Sequence, residues 1–94
     1  MKLIAHRGNI FGPNTENENK PEYILQTIQL GYECEVDVHY IEDEYYLGHD
    51  RPYYKISINF LLNNKDKLWI HCTNFEALNN LIQYKELNIF LASK

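Results

Sequence analysis

The sequence predicts an α/β fold of about four parallel strands and three helices, with a β-hairpin in its first half. Segments that alternate like strands are followed by segments whose apolar residues recur at helical spacing. The clearest strand covers residues 32–40, where polar and apolar side chains alternate. Strands that alternate with helices are typical of parallel sheets with right-handed crossovers. We therefore expect the element order βαβ(β)αβαβ.

The first half of the chain is predicted to contain two strands, one helix and the hairpin. In order, these are a strand at 2–5, a polar loop at 9–19, a helix ending at 31, a strand at 32–40 and a turn back over 41–47. Asn19 is expected to cap the helix, Pro21 suits its first turn and Gly31 ends it. The second arm of the hairpin is predicted to present His49 and Asp50.

The second half is predicted to contain two helices and two strands. Ser57 is a candidate cap for a helix that continues to about Asn64. An apolar strand covers 68–72, and a strand at 88–92 ends the pattern. Between them, Thr73 followed by Glu76 fits a capping box for a third helix. This helix has an apolar stripe at helical spacing, made by Phe75, Leu78, Leu81 and Ile82.

Length and composition limit the classes of protein that the chain can represent. Its 94 residues, 45% hydrophobic and 23% charged, predict a single globular domain over residues 1–94. The net charge is -4 and no basic cluster is present, which argues against nucleic-acid binding. No apolar run is long enough to span a membrane. The two cysteines, Cys34 and Cys72, form no C-x-x-C pattern, so we expect reduced, buried thiols and a cytoplasmic setting.

The strand at 32–40 has one acidic face. Alternation puts three acids and a histidine on one side of the sheet, namely Glu33, Glu35, Asp37 and His39. Neighbouring carboxylates repel each other unless a cation lies between them. Glu35 and Asp37 therefore predict a cation site, and carboxylates suit a hard divalent ion such as Mg²⁺ or Ca²⁺.

Ionisable residues also stand at the predicted C-terminal ends of three strands. His6 and Arg7 follow the first strand, Asp37 is in the second and His71 is near the end of the third. Functional groups gather at this edge in α/β folds. Arginine suits a phosphate, which it binds through two donors, and two histidines such as His6 and His49 can act as base and acid. A cation, a phosphate-binding arginine and a histidine pair together predict cleavage of a phosphodiester.

Each of these features has a structural explanation when it is taken alone. Glu35 and Asp37 are also typical of a half-exposed strand with a solvated face, and His6-Arg7 of a strand end that meets water. His49-Asp50 also suits a turn, and His71 a core histidine bonded to a backbone carbonyl. Only the combination favours a catalytic site.

Four short motifs, in order, resemble the N-terminal half of the glycerophosphodiester phosphodiesterases. They are H-R-G at 6–8, E-N at 18–19, E-V-D-V at 35–38 and H-D at 49–50. This family belongs to the TIM-barrel superfamily that includes the phosphatidylinositol-specific phospholipases C. The resemblance implies a partial or truncated TIM barrel. It also implies metal-dependent hydrolysis of glycerophosphodiesters, which releases glycerol phosphate and an alcohol.

The resemblance also implies a role for each matching residue. His6 and His49 would be the general acid and base, and Arg7 would bind the phosphate. Glu35 and Asp37 would hold a divalent metal ion, Mg²⁺ or Ca²⁺. The family usually has a further glutamate at the end of the third barrel strand, where this chain has His71, so His71 is the expected third ligand. The lysine that usually follows two residues later is replaced by a threonine.

The chain is much shorter than a complete barrel, which typically needs about 250 residues. Three explanations fit this length: a fragment of a longer protein, a homodimer that completes the half-barrel, or a reduced, open α/β form. Two functions are then open. The chain is either a phosphodiesterase that acts on a small-molecule phosphodiester, or a catalytically incomplete binding or interaction module derived from the same barrel.

Overall fold

The computed structural model of the chain describes residues 4–9 and 16–90. The start of the first predicted strand, most of the polar loop after it and the end of the last predicted strand lie outside the described residues. The strands are β1 (Ile4–His6), β2 (Glu33–Ile41), β3 (Glu44–Leu47), β4 (Tyr54–Ile56), β5 (Leu68–Cys72) and β6 (Asn88–Phe90). The helices are α1 (Pro21–Gln29), α2 (Ile58–Asn63) and α3 (Phe75–Leu81), with a short 3-10 turn at Lys65–Lys67.

The predicted partial TIM barrel is wrong. Residues 4–9 and 16–90 form one mixed sheet of six strands, accompanied by three α-helices. The pairs β1–β2, β2–β5 and β5–β6 are parallel, whereas β2–β3 and β3–β4 are antiparallel. The strand order is β4-β3-β2-β5-β6, and β1 pairs with β2 outside this path. The predicted homodimer is not tested by the fold of one chain and stays a prediction.

The turn after β2 explains why the sheet is mixed. Glu42 and Asp43 have φ values of 51° and 67°, and positive φ at both central residues is what a two-residue type I′ hairpin turn requires. The chain consequently reverses at once into β3, and β4 then continues the meander without an intervening helix. A barrel would need a helix after each of its strands.

The hydrophobic core lies on one face of the sheet. Cys34, Val36 and Val38 of β2 are buried there, as are Leu68, Ile70 and Cys72 of β5. The helices cover this face through the fully buried side chains of Ile24, Leu61, Ala77 and Leu81. Burial raises the pKa of the Cys34 thiol to about 12 and that of Cys72 to about 11, and both cysteines are free.

The ends of the helices differ in part from the predicted caps. Ser57 accepts a hydrogen bond from the Phe60 backbone N–H at 3.3 Å, so its predicted role is confirmed. The cap of α3 is Asn74, which accepts from the Ala77 N–H at 3.1 Å, and not Thr73. Asn19 does not cap α1, because its side chain is engaged elsewhere (see below). In the described residues, no helix is long and apolar enough to cross a membrane.

Candidate functional site

The candidate site forms where two strands share one edge of β2. β1 pairs with residues 33–35 of β2 and β3 pairs with residues 38–41, both on the edge opposite β5. Where these pairings stop, the Arg7 N–H donates to the Glu35 carbonyl at 2.8 Å, and the Gly48 N–H donates to the Asp37 carbonyl at 3.1 Å. The residues that follow β1 and β3 therefore meet beside Asp37.

Asp37 is the buried centre of this site, with a relative exposure of 1%. Its Oδ1 lies 2.8 Å from His71 Nδ1, and its Oδ2 accepts hydrogen bonds from Arg7 Nε at 3.1 Å and Asn19 Nδ2 at 3.0 Å. Burial alone would raise the pKa of this carboxyl. The hydrogen bonds from Asn19 and His71 and the charge of Arg7 outweigh burial and hold the pKa below its ordinary value.

Asn19 holds Asp37 in place from the other side. Its backbone adopts a positive φ of 64°, and its N–H donates to the Arg7 carbonyl at 3.2 Å. Its side-chain oxygen accepts from the Asp37 N–H at 3.0 Å, while its Nδ2 donates to the Asp37 carboxylate. Asparagine tolerates left-handed backbone better than most residues, which suits it to this position.

The guanidinium of Arg7 has partners on several sides. Besides Asp37, Nη1 donates to Glu18 Oε1 at 3.3 Å, and Nη2 lies 3.2 Å from His49 Nε2. Asn9 Nδ2 donates to the second oxygen of Glu18 at 2.9 Å, which fixes that carboxylate. A guanidinium has five N–H donors. Within the described part of the chain, its contacts with Asp37, Glu18 and His49 leave it two donors for a ligand.

His49 is exposed beside Arg7, with 47% of its side chain accessible. A guanidinium can only donate, so Nε2 of His49 accepts in this contact and carries no proton. Its Nδ1 then carries the proton and lies 3.6 Å from Asp37 Oδ2. Asp50 Oδ1 is 3.5 Å from Nε2, a longer contact that would be favourable only for the protonated ring.

His6 and Glu35 form a second pair on the same face of the sheet. Their Nε2 and Oε1 atoms are 2.5 Å apart, and 59% of the His6 side chain is exposed against 22% of Glu35. The two atoms are not aligned for a hydrogen bond, and Oε1 is buried without a hydrogen-bond partner among the described residues. Among the described residues, this oxygen is the one buried side-chain polar atom that lacks such a partner.

A cavity of about 280 Å³ opens beside this pair. Its lining residues share the polar face of the sheet and its rim: Ile4, His6, Glu35, Trp69 and Phe90. The Phe90 ring stacks on His71 at a centroid distance of 5.5 Å and an angle of 13°. The Trp69 Nε1–H donates to Glu33 Oε1 at 2.7 Å, so the indole has a fixed orientation.

Two of the three predicted metal ligands, Asp37 and His71, are bonded to each other in this arrangement. Asp37 uses both oxygens for Arg7, Asn19 and His71, and His71 uses Nδ1 for Asp37. Only Glu35 offers an oxygen without a hydrogen bond. Among residues 4–9 and 16–90, no three His, Cys, Asp or Glu side chains are grouped so that they could hold a metal ion. The predicted metal centre is not tested by this arrangement and stays a prediction.

Sequence reasoning missed four residues of the site. Glu18 and Asn19 belong to a recognised motif, yet they received no role beyond helix capping. Trp69 shares the parity of His71 on β5, and this signal was available from the sequence. Phe90 could not be placed, because its position beside His71 depends on the register of β5 against β6. His39, which shares the parity of Asp37, contacts the Gly48 carbonyl through Nε2 at 2.8 Å and supports the turn.

Comparison with known proteins identifies no relative of this chain. Searches against protein-family models, curated proteins and solved structures return no match. Function therefore has to be inferred from the geometry and chemistry of the site.

Proposed function

We propose that the chain hydrolyses a phosphodiester of the glycerophosphodiester class and releases glycerol phosphate and an alcohol. One observation supports this most: Arg7 is fixed by Asp37 and Glu18, keeps donors for a ligand, and touches His49 while following His6 directly. A phosphate bound to these donors would have the His49 imidazole beside it. The resemblance of the four short motifs to the glycerophosphodiester phosphodiesterases also supports this proposal.

In the proposed reaction, Arg7 binds the phosphate and stabilises the charge that develops on its oxygens. His49 accepts the proton of the attacking water through Nε2, once the substrate phosphate has replaced this nitrogen as the acceptor of the Arg7 Nη2–H and so released its lone pair. The water oxygen forms the new bond to phosphorus as the bond to the alcohol oxygen breaks. His6, whose ring lies against the Glu35 carboxylate, gives its proton to that leaving oxygen.

A divalent metal ion, Mg²⁺ or Ca²⁺, remains a prediction, and no step above depends on it. Glu35 is the predicted ligand that suits it best, because Asp37 and His71 are bonded to each other. A small-molecule substrate, no nucleic-acid partner and a cytoplasmic setting complete the proposal. The net charge of -4 and the two free thiols support the last two points.

Hydrolysis of glycerophosphocholine and of bis(p-nitrophenyl) phosphate tests this proposal, with and without a metal chelator. We expect His6→Ala and His49→Ala each to reduce the rate at least about 100-fold, the usual contribution of an acid–base residue. Arg7→Ala should be as damaging, whereas Arg51→Ala, at the only other arginine, should retain the wild-type rate. Circular dichroism would check that each variant is folded. Wild-type rates in both histidine variants would exclude this mechanism.

A binding module that does not cleave its ligand is the alternative. It is favoured by the way Asp37 is already satisfied by protein donors, since a site of this kind does not need a metal. Calorimetric titration with glycerophosphocholine separates the two functions. A module would bind the intact diester without turnover, and His6→Ala would leave its affinity unchanged.

A further inference from the structure

Arg7, which binds an anion in the proposed reaction, already contacts two carboxylates of the chain. Its Nε lies 3.1 Å from Asp37 Oδ2, and its Nη1 lies 3.3 Å from Glu18 Oε1. These three side chains carry one positive and two negative formal charges. We propose that Glu18 makes this site hold a singly charged phosphodiester and release a doubly charged phosphomonoester. Glycerol phosphate, the product under the proposed function on which this inference rests, is such a monoester.

The Glu18 carboxylate is fixed beside Arg7 by a chain of hydrogen bonds. Asn9 Nδ2 donates to Glu18 Oε2 at 2.9 Å, and the Tyr23 hydroxyl on α1 donates to Asn9 Oδ1 at 3.1 Å. Only 12% of the Glu18 side chain is exposed, so solvent and salt screen its charge less than that of a surface residue. A fixed and weakly screened negative charge therefore lies next to the guanidinium.

The charge of the ligand determines how strongly these groups act on it. Arg7 attracts each negative charge of a bound phosphate, while Asp37 and Glu18 repel it from slightly farther away. Coulomb energies fall only as the inverse of the distance, so two carboxylates in contact with the guanidinium largely cancel its attraction. A diester still has the two remaining guanidinium donors to bind. The second charge of a monoester gains no attraction and costs more dehydration, so the product is released after cleavage.

Glu18→Gln would remove this charge and keep the shape of the side chain. The glutamine oxygen can still accept from Arg7, and its amide can donate to Asn9 if the Asn9 amide group turns over. Asn9 then donates to the Tyr23 hydroxyl, which can accept as well as donate. The hydrogen bonds beside Arg7 can thus be kept while one negative charge is lost.

Dimethyl phosphate and methyl phosphate are suitable probes, because at pH 8 they differ by one charge. The second pKa of a phosphate monoester is about 6. NMR titration of the isotope-labelled protein at constant ionic strength would give both dissociation constants. Wild-type protein should bind methyl phosphate no more tightly than dimethyl phosphate. In Glu18→Gln, the affinity for methyl phosphate relative to dimethyl phosphate should rise about tenfold, the effect of one charge several ångströms away at a partly screened site.

Two control variants separate the charge of Glu18 from its position. Tyr23→Phe removes the hydroxyl that holds Asn9 and no charge, so it should change both affinities by the same factor. Glu76→Gln removes one negative charge from an exposed position in the first turn of α3, on the other face of the sheet, and should change neither. Tighter binding of methyl phosphate by the wild type, an unchanged ratio in Glu18→Gln, or an equal change of ratio in Tyr23→Phe would each overturn the proposal.

Failure of this proposal and failure of the proposed hydrolysis give different results, because both dissociation constants are measured without turnover. A protein that hydrolyses bis(p-nitrophenyl) phosphate and binds methyl phosphate more tightly than dimethyl phosphate would contradict only the role of Glu18. Predicted affinity ratios without any turnover would contradict only the hydrolysis. A protein that binds neither phosphate would contradict both.

Discussion

Asp37 shows how one buried charge can organise a site. It is a carboxylate with donors from three separate segments: Arg7 after β1, Asn19 before α1 and His71 on β5. A buried carboxylate is tolerable only when its oxygens are bonded in this way. Without the Asp37 carboxylate, Glu18 would be the remaining carboxylate partner of Arg7 in the described residues.

Asp37→Asn is therefore expected to lower the free energy of unfolding by about 3 kcal/mol at pH 7, the cost of breaking a buried ion pair. The folded state holds the pKa of Asp37 below its ordinary value, so its stabilisation is present above the unfolded pKa of about 3.9. That contribution is lost as the pH falls through the folded pKa. Urea unfolding of both proteins from pH 7 to pH 3 would measure this.

The difference between the two proteins should shrink below about pH 4, where the unfolded carboxyl is protonated. A difference that is the same at pH 3 and pH 7 would mean that the charge of Asp37 contributes nothing. Glu44→Gln is the control, since the Glu44–Lys55 pair is exposed and screened by solvent, so its loss should change the stability little at either pH.

The sequence locates Asp37 on the polar face of its strand but does not identify its partners. The face on which a strand residue lies follows from the alternation along the strand, so it can be predicted without knowledge of the fold. The partners are 18 to 34 residues away along the chain, so their approach depends on the pairing of strands. This explains why Asp37 was predicted as a metal ligand, while the structure shows hydrogen bonds to protein donors.

Among the elements, the loop after β3 determines where His49 lies. Gly48 links the loop to β2 through its hydrogen bond to Asp37, and the Tyr53 N–H returns to the Leu47 carbonyl at 3.1 Å. A Cβ atom at Gly48 would be 1.8 Å from the Arg51 carbonyl oxygen, which is backbone and has no rotamer to change. Any other residue at Gly48 therefore has to move the loop.

Gly48→Ala is expected to cost about 3 kcal/mol of stability, the upper end for forced overpacking, and to reduce hydrolysis by displacing His49. Gly31→Ala is a matched control. Its φ of 98° is unfavourable for alanine, but no atom lies within 4 Å of the added Cβ. It should cost only about 1–2 kcal/mol and leave hydrolysis unchanged. Urea unfolding and the diester assay would measure both effects, and equal losses in the two variants would contradict the steric argument.

Elements with a strong local pattern could be predicted, whereas the shorter ones could not. The stripe of α3 and the alternation of β2 each extend over several residues, so the pattern alone indicates the element. β4 has only the residues Tyr54–Ile56 and was missed. This strand exists because it pairs with β3. Three residues are too few to show the alternation of polar and apolar side chains that would predict a strand.

At the scale of the whole molecule, the barrel prediction failed because the sequence pattern indicates which strands pair with each other. It does not indicate whether the sheet closes into a barrel. β1, β2, β5 and β6 are parallel neighbours, as the alternation of strands and helices implies. The hairpin then adds antiparallel strands to the β2 edge. The Cα radius of gyration is 12.1 Å, and a compact domain of this length is expected to have about 12 Å. The mixed sheet and its helices thus account for the dimensions of one domain.

One shared core predicts that the protein unfolds as one unit. α1, α2 and α3 pack on the same face of the sheet, while Trp69 lies on the opposite face. Losing the helices would expose Val36, Val38 and Ile70, so neither layer should persist alone. We expect urea unfolding to be two-state, with a free energy of roughly 5–14 kcal/mol for a chain of this length and a slope of about 1 kcal/mol/M.

Two probes would test this cooperativity. Far-UV circular dichroism follows the helices, and the fluorescence of Trp69 follows the opposite face of the sheet. Coincident midpoints are expected, because any change in one layer removes the apolar contacts of the other. If the helices melted at a clearly lower urea concentration than the Trp69 signal, the chain would contain two folding units and the single domain over residues 1–94 would be wrong.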